Sequence, residues 1–126
     1  MKDKTLLVLA CSLELATGIV AIAAPSFLSG VLFSTELTPS GEAIGRVCGF
    51  GLISLAVACW PRVEDHPTQS IRALFLYNIL VACYLGYLRI VGEFSSGFLL
   101  PVCAVHGLLA LSFVRPVYEN AVDRGS

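Results

Sequence analysis

The stretch TLLVLACSLELATGIVAIAA, residues 5–24, decides the fold class of this chain. It carries a single charge, Glu14, and Pro25 closes it. Because an α-helix rises 1.5 Å per residue, about 20 apolar residues cross the roughly 30 Å hydrocarbon core of a bilayer. The stretch therefore predicts a first transmembrane helix over residues 5–25.

The composition of the whole chain supports the same interpretation. Of its 126 residues, 56% are hydrophobic and 13% are charged, whereas soluble domains carry about 25% charged residues. A soluble domain this small would leave large apolar patches in water. The net charge is −1 and no basic stripe is present. We therefore expect the lipid bilayer as a partner and do not expect nucleic acid.

Three further apolar runs complete a single predicted membrane domain, residues 1–126. They cover residues 41–60, 70–91 and 98–114, and each is long enough to span a bilayer. The run SFLSGVLFSTELTPS, residues 26–40, is shorter and predicts an interfacial helix. The pattern predicts an all-α integral membrane four-helix bundle in up-down-up-down order, with this short helix between spans one and two.

The positive residues near the span ends predict the orientation. Only Arg46 and Arg89 fall on one side of the membrane in this topology. The other side carries the remaining six, which are Lys2, Lys4, Arg62, Arg72, Arg115 and Arg124. Because positive residues accumulate on the cytoplasmic side, both termini are expected in the cytoplasm, with the chain in the inner (plasma) membrane.

The first span also has features of a cleaved signal sequence. Lys2 and Lys4 precede the apolar run, and Ala21-Ile22-Ala23 resembles a cleavage site. Glu14 fits poorly in the apolar region of a signal sequence. A retained spanning helix is therefore the preferred interpretation.

Polar residues inside the spans are the candidate functional residues. Glu14, Asn78 and His106 lie roughly 15 Å from the cytoplasmic ends of their spans, near the midplane, and Arg46 lies about one to two turns farther out. A charge at the centre of a spanning helix costs roughly 2.5–3.5 kcal/mol, so it should face the bundle interior and have a partner. We expect Glu14 to pair with Arg46 or His106, or to stay protonated. The cluster is either a proton-linked or ligand-binding site, or a buried polar network that maintains helix register.

Two other patterns concern helix surfaces. Tyr84 lies seven residues after Tyr77 on the third span, so both are expected on one face, where they either line a cleft for a lipophilic ligand or only pack. Glycines spaced four residues apart let helix backbones approach closely. The second span carries three of them, Gly41, Gly45 and Gly49, and the first span carries Gly18. They predict a packing interface, either within one bundle or in a homo-oligomer.

Nothing in the sequence supports a hydrolase. It lacks the GxSxG, HExxH and phosphate-loop motifs. The five cysteines lie inside apolar runs without zinc-site or disulfide spacing, so no metal site is predicted. A haem or quinone near His106 remains an alternative, and the cofactor is left open.

Three segments resemble the DoxX-like group of small bacterial four-helix membrane proteins of unknown function. They are GIVAIAAPSFLSGVLF, IGRVCGFGLISLAVACWP and LPVCAVHGLLAL. The shared features are a proline after span one (Pro25), an Arg-x-x-Gly in span two (Arg46 and Gly49) and a histidine in span four (His106). The resemblance implies a four-helix membrane bundle and little about activity. Some members of the wider group are accessory subunits of quinone-linked oxidoreductases.

The place of Glu14 also resembles that of the single glutamate in the first span of small multidrug transporters, which implies proton-coupled transport. The expected function is a small non-enzymatic membrane protein, either oligomeric or an accessory subunit. Its midplane site is expected to contain Glu14, Arg46, Asn78, His106 and Tyr84. The alternatives are a proton-coupled small-solute transporter that uses Glu14, and a haem- or quinone-linked redox subunit that uses His106.

Overall fold

A computed structural model describes residues 2–62, 68–92, 94 and 96–122. Within these residues the secondary structure is entirely helical. The helices are α1 (Lys2–Ala23), α2 (Pro25–Phe33), α3 (Pro39–Ala58), α4 (Thr68–Val91) and α5 (Leu99–Val122). All except α2 contain stretches long and apolar enough to cross a membrane. The predicted all-α membrane bundle of four spans, with a shorter helix between the first two, is confirmed.

Local chemistry explains where the helices begin and end. Pro25 opens α2 as its first residue, where its missing N–H leaves no bond unmade. Thr38 caps α3, and its hydroxyl accepts a 3.2 Å hydrogen bond from the amide of Gly41. Ser34 ends α2 in the left-handed conformation, with φ of 56°.

The last helix is longer than the sequence pattern predicts. We expected the fourth span to end at residue 114, but α5 continues to Val122. An ion pair between Arg115 and Glu119, one turn apart at 2.7 Å, lies along this extension. Arg124, one of the positive residues used to predict the orientation, lies outside the described residues.

The helices associate as two antiparallel pairs, α1 with α3 and α4 with α5, and contacts between the pairs are fewer. The start of α1, the end of α3, the start of α4 and the end of α5 lie at one end of the bundle, which we call the termini side. The short helix α2 and the α4–α5 connection lie at the other end, the α2 side. Most of the buried core lies toward the termini side. It comprises Leu7, Ala10, Cys11, Ala56, Cys59, Ile71, Leu74 and Phe113.

The glycines of spans one and two bring α1 and α3 into backbone contact. A Cβ atom added at Gly49 would lie 2.8 Å from the carbonyl oxygen of Gly18, and one added at Gly18 would lie 2.9 Å from that of Gly49. A Cβ at Gly45 would lie 3.0 Å from Pro25. Gly41 packs against Leu37 beside the α3 cap. These glycines therefore serve packing inside one chain.

A smaller buried cluster lies on the α2 side and joins α4 to α5 through Leu85, Leu88 and Leu99. It does not extend to α1 and α3. The four-helix core of the termini side is therefore not continued to the α2 side, and a gap between the two pairs opens there.

Candidate functional site

A layer of polar side chains separates the termini-side core from the gap on the α2 side. It contains Glu14 of α1, Tyr77 and Asn78 of α4, and His106 of α5. Glu14, Asn78 and His106 are buried, with 1%, 0% and 8% of their surface exposed. Burial of three polar side chains in an otherwise apolar bundle is costly unless each is satisfied, so the partners of each residue indicate what the layer can do.

Asn78 and His106 form a complete hydrogen-bonded pair. The Asn78 amide nitrogen donates to the carbonyl oxygen of Leu74 over 2.8 Å. Its amide oxygen lies 2.8 Å from Nδ1 of His106. Because a carbonyl can only accept, the amide orientation follows from the first bond, and Nδ1 of His106 must then carry the proton in the second. The neutral imidazole therefore keeps its lone pair on Nε2.

Glu14 is buried without a satisfying partner. Among the described residues, its two carboxyl oxygens are the buried side-chain oxygens that lack a hydrogen bond. The Tyr77 hydroxyl faces this carboxyl and interacts with it electrostatically, but short of hydrogen-bond geometry. The Tyr77 ring in turn packs edge-on against His106, with 5.9 Å between ring centroids. Tyr77 thus lies between the orphaned carboxyl and the histidine.

Arg46 does not join the polar layer. It forms a 3.2 Å ion pair with Glu42, one turn earlier on α3, and Ser26 donates a 2.7 Å hydrogen bond to the same carboxylate. The expected ion pair between Glu14 and Arg46 is therefore not formed. A pair that stays partly exposed near the end of the span avoids the desolvation that a midplane pair would suffer. Glu14 does not pair with His106 either, because neither of its carboxyl oxygens has a hydrogen bond in the described part of the chain; the partner of the imidazole is Asn78, at Nδ1.

Tyr84 also lies away from the layer, with 61% of its surface exposed. The buried face of α4 follows Leu74, Asn78 and Leu85, and Tyr84 points away from it. Tyr77, which precedes Asn78 by one residue, is the tyrosine at the site. Its spacing of four and eight residues from Val81 and Leu85 is the sequence signal that places it on the cavity face.

A cavity of about 380 Å³ lies between the two helix pairs, on the α2 side of the polar layer. Its polar end is formed by Tyr77 and His106, with Thr17 of α1 nearby. The rest of its wall is almost entirely aliphatic and includes Leu28, Leu32, Leu52, Val81, Val102 and Val105. The cavity is thus an apolar chamber with a few hydrogen-bonding groups at one end.

The short helix α2 forms one wall of this cavity. Leu28 and Leu32 also line a second apolar cavity of about 360 Å³, which lies between α2, α3 and the end of α1. The C-terminal end of α2 is attached to the segment before α5, because Ser96 donates a hydrogen bond to the carbonyl of Val31. The rings of Phe33 and Phe94 pack 5.0 Å apart at the same place. α2 therefore bridges the two helix pairs across the gap.

In the described part of the chain, no three His, Cys, Asp or Glu side chains converge as a metal site would require. Comparisons of the chain with protein-family models, with curated proteins and with solved structures gave no match. The proposals for its function rest on the geometry of the polar layer and the cavity.

Proposed function

We propose that this small membrane protein is a non-enzymatic ligand-binding protein that holds a lipophilic small molecule in the cavity between its helix pairs. The observation that carries the proposal is the cavity itself, which combines about 380 Å³ of aliphatic space with Tyr77 and His106 at one end. Sites for small molecules are commonly 300–1,000 Å³, mostly apolar, with a few polar groups that orient the ligand. We propose that such a protein acts either as a homo-oligomer or as an accessory subunit of a membrane complex, the role of some members of the wider group that its sequence resembles.

The test is native mass spectrometry of the protein released from lipid nanodiscs. We expect a retained lipophilic mass on the wild type. Val102→Phe places a ring in the cavity and should abolish the retained mass. Leu100→Phe is the matched control and should retain the mass, because Leu100 of α5 is 60% exposed. A bare protein, or a mass retained equally by both variants, would contradict a ligand in this cavity.

Proton-coupled transport of a small solute is a second candidate, favoured by the orphaned Glu14 carboxyl. Tyr77 contacts this carboxyl and also lines the cavity, so it offers a route for a proton between them. The test is uptake of tetraphenylphosphonium into proteoliposomes driven by a pH gradient. Glu14→Gln should abolish it. Glu42→Gln, which changes a carboxylate paired with Arg46 outside the layer, should not.

We propose further that both termini face the cytoplasm in the inner membrane. Lys4, Arg62, Arg72 and Arg115 belong to the termini side, whereas Arg46 and Arg89 belong to the α2 side. This asymmetry supports the proposed orientation. A fusion of alkaline phosphatase to the C-terminus should be inactive, and a fusion of a fluorescent protein there should fluoresce. The opposite result would reverse the topology.

A further inference from the structure

The identity of the hydrogen-bonding group at the end of the cavity restricts which ligands fit. Asn78 occupies Nδ1 of His106 and holds the proton there. Nε2 is then a lone-pair acceptor with no proton to donate. Among the described residues, the hydrogen bond of the His106 ring is the one at Nδ1. In that part of the chain, the fully buried side-chain atoms without a hydrogen bond are the two carboxyl oxygens of Glu14, and Nε2 is not one of them. Because His106 lines the cavity, Nε2 is the acceptor that the cavity presents.

The other polar groups do not offset this preference. The Tyr77 hydroxyl interacts with the Glu14 carboxyl. Thr17 is the remaining hydroxyl on the cavity wall, and a hydroxyl serves as donor or acceptor as its partner requires. The ligand must therefore donate a hydrogen bond to Nε2 of His106. The Thr17 hydroxyl can donate a hydrogen bond to the ligand oxygen.

The surroundings also exclude an anionic ligand. The nearest guanidinium on α3, that of Arg46, is paired with Glu42 outside the layer. A ligand carboxylate at the polar end would instead face the Nε2 lone pair, and the described residues that line the cavity include no lysine or arginine. Burial of a charge without a counter-charge is among the most costly arrangements in an apolar medium. Fatty acids and phosphate esters are thus poor candidates for this end of the cavity.

Resting on the binding function proposed above, we infer that the ligand is a lipophilic alcohol or phenol. Its apolar body occupies the space among Leu28, Leu32 and Val102, and its hydroxyl donates a hydrogen bond to Nε2 of His106. An ether, ester or ketone of the same shape presents only acceptors, so it leaves Nε2 unsatisfied even where Thr17 donates to its oxygen. One unmade hydrogen bond of this kind corresponds to roughly a five- to hundredfold loss of affinity.

The experiment compares two photoreactive probes in nanodiscs that contain the wild-type protein. One is a diazirine-bearing twelve-carbon alcohol, and the other is its methyl ether. Labelled positions are mapped by peptide mass spectrometry. Labelling of the outward-facing Leu108 and Leu111, which are 65% and 70% exposed, normalises for how each probe partitions into the bilayer. We expect the alcohol to label the cavity residues of α2 and α5 at least about fivefold more than the ether.

The outcomes separate the inference from the function on which it rests. If neither probe labels the cavity above the level at Leu108, both the binding function and the inference fail. If the two probes label the cavity equally, or the ether labels it more, the binding function stands and the hydroxyl preference is overturned. His106→Phe keeps an aromatic ring and removes the acceptor, so it should erase the preference while cavity labelling persists. A preference that survives in this variant would also overturn the inference.

Discussion

The two ends of the bundle are built from the same four long helices, yet they pack differently. On the termini side, buried residues from all four helices form one continuous cluster. On the α2 side, α4 and α5 form a cluster of their own, and a cavity separates them from α1 and α3. Each of the four long helices is apolar enough to span a membrane. The difference therefore comes from which side chains reach across between the pairs.

Within each pair, the packing remains close on both sides. Gly18 and Gly49 bring the backbones of α1 and α3 into contact near the cavity. Cys103 donates a 3.3 Å hydrogen bond to the carbonyl of Ala82 between α5 and α4. The small residues Gly18, Gly49 and Cys103 thus make contacts within their own pair. Space for a ligand then arises between two well-packed units rather than from loose packing in general.

The largest expected effect contrasts one residue type in the two halves. Leu74→Ala removes a side chain with no exposed surface from the termini-side core, and we expect the free energy of unfolding to fall by about 2–5 kcal/mol. Leu32→Ala enlarges a space that already exists, so its cost should stay below about 1 kcal/mol, near the cost of lost contacts alone. Denaturant titration in mixed micelles measures both. Equal losses would mean that the halves are packed alike.

A smaller effect tests whether the α1–α3 pair is closed beside the cavity. Gly49→Ala places a methyl group 2.8 Å from the Gly18 carbonyl oxygen, and backbone cannot move aside as a flexible side chain does. We expect a loss of about 1–3 kcal/mol. Gly51→Ala is the matched control, since a Cβ there meets nothing within 4 Å, and it should stabilise α3 slightly. The same titration compares the two. Equal tolerance at both positions would show that the pair is loose.

The polar layer between the halves should respond in opposite directions at two buried positions. Glu14→Leu removes a carboxyl that has no hydrogen bond, so the free energy of unfolding should rise, by about 1 kcal/mol or more. Asn78→Leu removes both bonds of a satisfied amide and should lower it by a similar amount. A loss of stability in Glu14→Leu would indicate that Glu14 has a structural role after all.

The smallest effect is expected at Arg46, which lies on the α2 side away from the polar layer. Arg46→Gln breaks the partly exposed ion pair with Glu42, and partly exposed pairs contribute little to stability. The thermal midpoint and the cavity labelling should both remain at wild-type values. A loss of labelling would mean that Arg46 takes part in the site, as its place in the second span had suggested.

Particular residues show how far sequence reasoning reaches. Glu14, Asn78 and His106 were predicted at one depth because helical rise converts residue number into depth. Arg46 was misplaced although its partner was visible, since Glu42 precedes it by one helical turn in EAIGR. Tyr84 was chosen over Tyr77 because a spacing of seven residues predicts a shared face without indicating which tyrosine the neighbouring helices cover.

The sequence by itself determined the four spans, the break at Pro25, and the glycines on α1 and α3, because length, hydrophobicity and proline act locally. Only the tertiary structure decided which helices pair, that Asn78 rather than Glu14 binds His106, and that a cavity opens on one side of the polar layer. These features depend on the rotation and separation of whole helices. In a bilayer the outer surface of a helix is as apolar as its inner surface, so hydrophobic pattern alone does not set that rotation.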